Sequence, residues 1–245
     1  MTSPANQHQT VLDQISSAVQ SLNNTLQSLP GKAREAADQW WMPPQLGSIL
    51  VGSAETIAWC GREFLQTVVE CLEGSAAPLI MIANAYEWTD IHGIATTVAG
   101  EIQPSTLGST GNWQGPAATA YTKSIAPQSS AATAIAGIAE KTSSSLYTCS
   151  AAGIAFYTAV LTVVAKFQVV LTALIVTFFT DIGAIPAAMD AVTETAEDSA
   201  TLKVLVLALV AFLGAQATEM GTLHDKAGDN SNFPGGHWPV AVKAS

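Results

Sequence analysis

Charge is scarce in this sequence, and positive charge scarcest. Across 245 residues there are nine Lys plus Arg against nineteen Asp plus Glu, a net charge of −10. The cations are Lys32, Arg34, Arg62, Lys123, Lys141, Lys166, Lys203, Lys226 and Lys243, each standing apart from the others. Phosphate binding needs clustered cations, so nucleic acid is not an expected partner. The same sparseness argues against electrostatic docking on anionic lipid. Cysteine is also short: Cys60, Cys71 and Cys149. On one helix, Cys60 and Cys71 would have α-carbons roughly 16 Å apart, too far for a disulfide. The three thiols read as small buried apolar groups.

Catalytic and ligand-binding patterns are missing too. His8, His92, His224 and His237 are scattered, none in a His-x-x-x-His arrangement or beside a cysteine pair, so no metal site is expected. There is no Walker loop, no Gly-x-Gly-x-x-Gly and no Gly-x-Ser-x-Gly. The acidic group Glu194, Glu197 and Asp198 reads as a solvated face near a helix start. The expectation is a non-enzyme without a cofactor. Strand patterns are nearly absent, and no internal repeat at a fixed period is visible. Residues 1–30 hold no Lys or Arg and no apolar run of the length a Sec leader needs, so export would use a route that reads no cleavable leader.

Apolar residues are abundant: 49% of the chain is hydrophobic and 11% charged, where soluble domains carry about a quarter charged residues. Much of the surface is therefore expected to meet another protein or lipid. Residues 1–9 are polar and predict a frayed start. Val11, Ile15, Val19, Leu22, Leu26 and Leu29 then recur at helical spacing until Pro30-Gly31 interrupts them. Pro43-Pro44 is a stop. A long helix is expected from about 47 to 102, kinked near Gly74 to Pro78, followed by a loop over 103–116. Gly115-Pro116 opens the next helix, because proline suits the first helical turn. That helix is expected to run to Thr180, and a final one from about 187 to 224. The spacing divides the chain into an N-terminal helical arm (1–46), a helical hairpin (47–150), apolar helices (151–224) and a tail (225–245).

Residues 151–180 carry a single charge, Lys166. Their length fits a membrane span, but a charge near the middle costs roughly 2.5–3.5 kcal/mol. At about 100° per residue, Thr158, Thr162, Lys166, Gln168, Thr172 and Thr177 share half of the circumference. The other half is Val, Leu, Ile, Phe and Ala. A second run, Val204 to Ala215, sits in an uncharged stretch of roughly 22 Å, short of a ~30 Å hydrocarbon core. Core helices of a bundle or oligomer, an inserting hairpin whose polar stripe lines water, and a small resident two-span membrane protein all stay open here.

Trp113-Gln-Gly115 lies between the two long helices. An indole there would cover the gap between helix ends. The glycine permits positive φ or close passage of the backbone. The string Trp113-Gln-Gly115-Pro-Ala-Ala118-Thr-Ala-Tyr121 resembles the hairpin turn and second-helix start of the WXG family, the type VII (ESX) secretion substrates of actinobacteria. The tail Phe233-Pro-Gly-Gly-His-Trp-Pro239 is similar to tails of its longer members. The resemblance covers roughly residues 50–150. It implies an all-α fold in which a helical hairpin with a Trp-x-Gly turn lies inside a four- or five-helix bundle. It also implies pairing with a partner hairpin or with further copies, and location outside the cell or on the cell envelope or membrane. The function it implies is that of a secreted or secretion-associated interaction protein. For longer members it also implies possible pore formation, here through 151–180 and 202–218. The chain departs from the family pattern at one point: no Tyr-x-x-x-Asp/Glu follows the turn, and Tyr86-Glu-Trp-Thr-Asp90 precedes it.

Overall fold

A computed structural model describes residues 4–108, 112–178, 184–229 and 231–240. The fold is all-helical, with no strand among the described residues. The elements are α1 (Pro4–Ala37), α2 (Pro44–Leu72), α3 (Ala77–Glu101), α4 (Pro116–Phe178), α5 (Ala184–Ala227) and a short 3-10 turn, Pro234–Gly236. They form two compact units. Unit 1 comprises Met1–Ala77 with Ala152–Ala211, and unit 2 comprises Pro78–Ala151 with Phe212–Ser245. The unit boundaries fall after residues 77, 151 and 211, the middle one beside the sequence division at 150, and α4 and α5 each contribute to both units.

In unit 1, four helices line one core. On α1 the fully buried row is Ile15, Leu22, Leu26, Leu29, Ala33 and Ala36, and on α2 it is Leu50, Ala54, Ile57, Phe64, Leu65 and Val68. The α4 portion adds Val160, Val164, Phe167, Leu171, Leu174 and Phe178. The α5 portion adds Ala188, Ala191 and Leu202. Steps of three and four place each row on one helical face. Each buried Leu, Ile or Phe contributes about 1.5–3 kcal/mol. Phe64 and Phe167 meet edge to face at 5.0 Å, a geometry the ring quadrupoles favour. The exposed pair Arg34–Glu55, at 2.7 Å, links α1 to α2 and contributes about 0–1 kcal/mol.

Two sequence expectations change here. The helix does not break at Pro30-Gly31: α1 runs through Pro30 to Ala37. Leu26, Leu29, Ala33 and Ala36 are all fully buried on both sides of the proline, and that burial outweighs the lost backbone hydrogen bond. Nor is the start frayed from Pro4 onward, where α1 begins; residues 1–3 lie outside the described residues. His8 is fully buried. Its Nε2–H donates to the Ser75 carbonyl at 2.8 Å, and its ring meets Tyr157 edge-on at 5.3 Å. The Tyr157 hydroxyl donates to the Cys71 carbonyl at 2.9 Å, so one cluster pins the first turns of α1 to the end of α2. The expected kink near Gly74 is a turn over 73–76 that separates α2 from α3.

Gly61 is where α2 meets its neighbours most closely. A Cβ there would stand 2.6 Å and 2.8 Å from the two terminal carbons of Leu26 and 3.2 Å from Phe167. Leu26 and Phe167 are fully buried and have nowhere to turn. Gly61→Ala should therefore destabilise by about 1–3 kcal/mol through overpacking. Gly52 lies on the same helix with open space around it, and Gly52→Ala should stabilise by up to about 1 kcal/mol. Urea midpoints followed by helical circular dichroism check the opposite signs; equal signs would place α2 differently against α1 and α4.

Unit 2 is built on another principle. Among the described residues its buried apolar side chains, besides Pro78 and Pro239, are Ala85, Ala95, Ala99, Ile125, Ala131, Ala132, Ala136, Ala139 and Leu223, mostly alanine. Small side chains let two helix backbones approach closely, and polar groups then bridge them directly. Ser129 Oγ donates to the Ala99 carbonyl at 2.9 Å, and His92 Nδ1–H donates to the Ala136 carbonyl at 2.9 Å. Ser143 Oγ donates to the Ala85 carbonyl at 2.9 Å, and Ser150 Oγ to the Pro78 carbonyl at 2.8 Å. Each rung lies seven residues from the last on both helices, in opposite directions. So α3 and the first part of α4 form an antiparallel pair with coiled-coil periodicity. Each rung contributes about 0.5–1.5 kcal/mol net.

Candidate functional site

The connection between the paired helices holds Trp113 and Gly115. Gly115 has φ +108°, a conformation that disfavours any residue with a Cβ. No other group comes within 4 Å of where its Cβ would be, so the backbone turn, and not close packing, requires glycine here. Its carbonyl accepts the Thr119 N–H at 3.1 Å and so starts α4. Pro116 opens the helix, as expected. Trp113 is 43% exposed, and its ring leans on Tyr121 at 5.6 Å. Ala118 is half-buried. Of the four motif residues Trp113 and Tyr121 thus meet at the start of α4, and the indole remains partly exposed. Residues 109–111 of the same connection lie outside the described residues.

The polar stripe of α4 is divided among several surroundings. Thr158, Thr162 and Thr172 are exposed, and each hydroxyl donates to the carbonyl four residues earlier. The Thr177 hydroxyl donates to the Leu174 carbonyl at 2.8 Å. Lys166 reaches Asp198 on α5 at 3.0 Å, and Gln168 donates to Ser21 on α1 at 3.1 Å. These last two residues stand at opposite edges of the stripe and tie α4 to different neighbours. Asp198, expected on a solvated face, is 4% exposed, and its Oδ2 is buried without a hydrogen-bond partner. The physical reason is spacing. Ala188, Ala191, Thr195, Asp198 and Leu202 follow steps of three and four, so the inward row of α5 carries the carboxylate into the core.

Three helical stretches are long and apolar enough to cross a membrane: Pro44–Glu101, Pro116–Phe178 and Pro186–Ala227. Their apolar residues meet different surroundings. The wide apolar face of α4 lines the unit 1 core. On α5, nothing from Lys203 to Thr222 is fully buried, and Val204, Leu207 and Val210 are 64%, 68% and 61% exposed. On α3, Ile80 and Ile94 are 57% and 66% exposed. Exposed large apolar groups thus include Ile80 and Ile94 on α3 and Val204, Leu207 and Val210 on α5, and outside the core face also Trp59 on α2 and Val169 and Val176 on α4.

The seven-residue ladder escaped the sequence reading. Its signal is present as Pro78, Ala85, His92 and Ala99 facing Ser129, Ala136, Ser143 and Ser150. Alanine, serine and proline differ little in hydrophobicity, so a pattern built from them is faint. Among the described residues no group of three or more His, Cys, Asp or Glu side chains is placed to hold a metal ion. No protein-family model, no curated protein and no solved structure matches this chain.

Proposed function

We propose that the chain is a type VII (ESX) secretion substrate or secretion-associated interaction protein, non-enzymatic, working by helix packing with a hairpin partner or with copies of itself. The observation that carries this reading is the antiparallel pairing of α3 with the start of α4, with Trp113 and Gly115 in the connection. The sequence resemblance at Trp113 to Tyr121 supplies the secretion assignment. The alanine-lined interior of unit 2 supports an outside partner, since burying alanine yields little beyond about 0.8 kcal/mol per CH₂-sized group.

The test is export. A tagged chain is produced in an actinobacterium with an intact type VII system and in one lacking its secretion ATPase. It should reach the culture filtrate only in the first. Gly115→Ala should reduce export while helicity by circular dichroism stays unchanged. Retention in both strains, or equal release from both, overturns the assignment.

A second reading has its own observation. The uncovered Val204, Leu207 and Val210 of α5 fit lipid as well as protein, which supports a membrane-active role for 202–218. Dye release from neutral vesicles, reduced by Leu207→Ser with Val210→Ser, would favour that role. Intact vesicles would remove it.

A further inference from the structure

The outer face of α3 carries a second seven-residue pattern. The ladder positions Pro78, Ala85, His92 and Ala99 face α4. Two residues beyond each stand Ile80, Glu87, Ile94 and Glu101. A two-residue step turns a helix by about 200°, so these four lie on the opposite side. All four are exposed. Ala83, Asp90 and Thr97, also exposed, complete the steps of three and four. The result is a coiled-coil seam that alternates isoleucine with carboxylate and has no cover. α3 contains no Lys or Arg. Glu87, Asp90 and Glu101 take part in no ion pair among the described residues, where the ion pairs are Arg34–Glu55 and Lys166–Asp198.

We infer that this seam docks a helix of another protein whose own seven-residue seam alternates apolar residues with Lys or Arg. The inference deepens the interaction reading above and rests on it, because it names the chemistry of the partner. Charge complementarity selects this occupant. A second copy would set the same acidic seam against itself, and like charges on facing seam positions destabilise. Lipid would have to accept three carboxylates on one helix, and an Asp at mid-span costs roughly 2.5–3.5 kcal/mol on insertion scales. A basic apolar helix neutralises the carboxylates and covers both isoleucines.

The experiment uses the full chain and two labelled synthetic helical peptides of equal length. One alternates Leu with Lys along its seam, and the other alternates Leu with Glu. Anisotropy should show the Leu/Lys peptide binding roughly tenfold or more tighter at low salt, with the preference lost near about 0.5 M salt. Glu87→Lys with Glu101→Lys should reverse the preference. Glu63→Lys with Glu70→Lys changes net charge equally at exposed positions of α2 and should leave it intact. Lys and Glu have similar helix propensity, so both variants keep the helix, which circular dichroism checks. The inference is overturned if both peptides bind alike, or if the two double variants weaken binding equally, which would mean bulk charge. Sedimentation of the chain as a dimer that Glu87→Lys with Glu101→Lys dissolves would also overturn it, in favour of a second copy. Loss of ATPase-dependent export would leave these peptide results untouched. Failure of the peptides would leave export untouched.

Discussion

Phe167→Ala is expected to lower stability by about 3–5 kcal/mol, the largest effect of any single substitution considered. Phe167 is fully buried in the unit 1 core and meets Phe64 edge to face at 5.0 Å. Truncation removes the apolar surface of a whole ring and opens a cavity beside Phe64 and Gly61. Val169 stands two residues away on the same helix but is 68% exposed. Val169→Ala should change stability by no more than about 0.5 kcal/mol. Urea midpoints on the purified protein distinguish the two positions. Similar effects would mean that the wide apolar face of α4 does not lie in a protein core, and α4 would then rejoin α5 as a candidate for lipid contact.

The second expectation concerns Lys166 and Asp198. A lone lysine in a thirty-residue apolar stretch invites replacement by leucine as a harmless or stabilising change. The structure predicts the opposite. Lys166 Nζ lies 3.0 Å from Asp198 Oδ1, and the Asp198 side chain is only 6% exposed. Lys166→Leu would leave a buried carboxylate without its counter-charge, which is more costly than never having placed it there. The melting temperature should fall for Lys166→Leu alone and recover when Asp198→Leu is added. The double variant replaces a polar contact by an apolar one between α4 and α5. A strictly additive double variant would show that the two side chains do not depend on each other. Full recovery would also show that the pair sets how α5 seats in unit 1, since Asp198 and Leu202 are the last fully buried residues of α5 before Leu223.

Much of this chain was legible in residue order. The helices follow from apolar spacing and the start of α4 at Pro116 from its proline, whereas Pro44, expected to stop a helix, instead begins α2 three residues ahead of the expected start near 47. The wide apolar face of α4 was visible at 100° per residue, and it is that face which lines the core. Lys166 was visible as an anomaly, but its partner was not, because Asp198 is thirty-two residues away and the acidic group around it resembles a wet helix face. Pro30 was misleading for a related reason. Local propensity counts one lost hydrogen bond, whereas the burial of Leu26, Leu29, Ala33 and Ala36 acts across four helices.

The sequence by itself determined that the chain is helical and that it holds more apolar surface than its charges can dissolve. Periodicity and backbone sterics are local, and they need only neighbouring residues. Which apolar faces meet protein and which stay open was decided only in three dimensions. Val160 to Phe178 and Val204 to Ala215 look alike as strings, yet the first fills the unit 1 core, while the second only borders it through Leu205, Val206 and Leu209 and buries no residue fully. The difference comes from the partners available to each face, and those partners are contributed by residues far away along the chain.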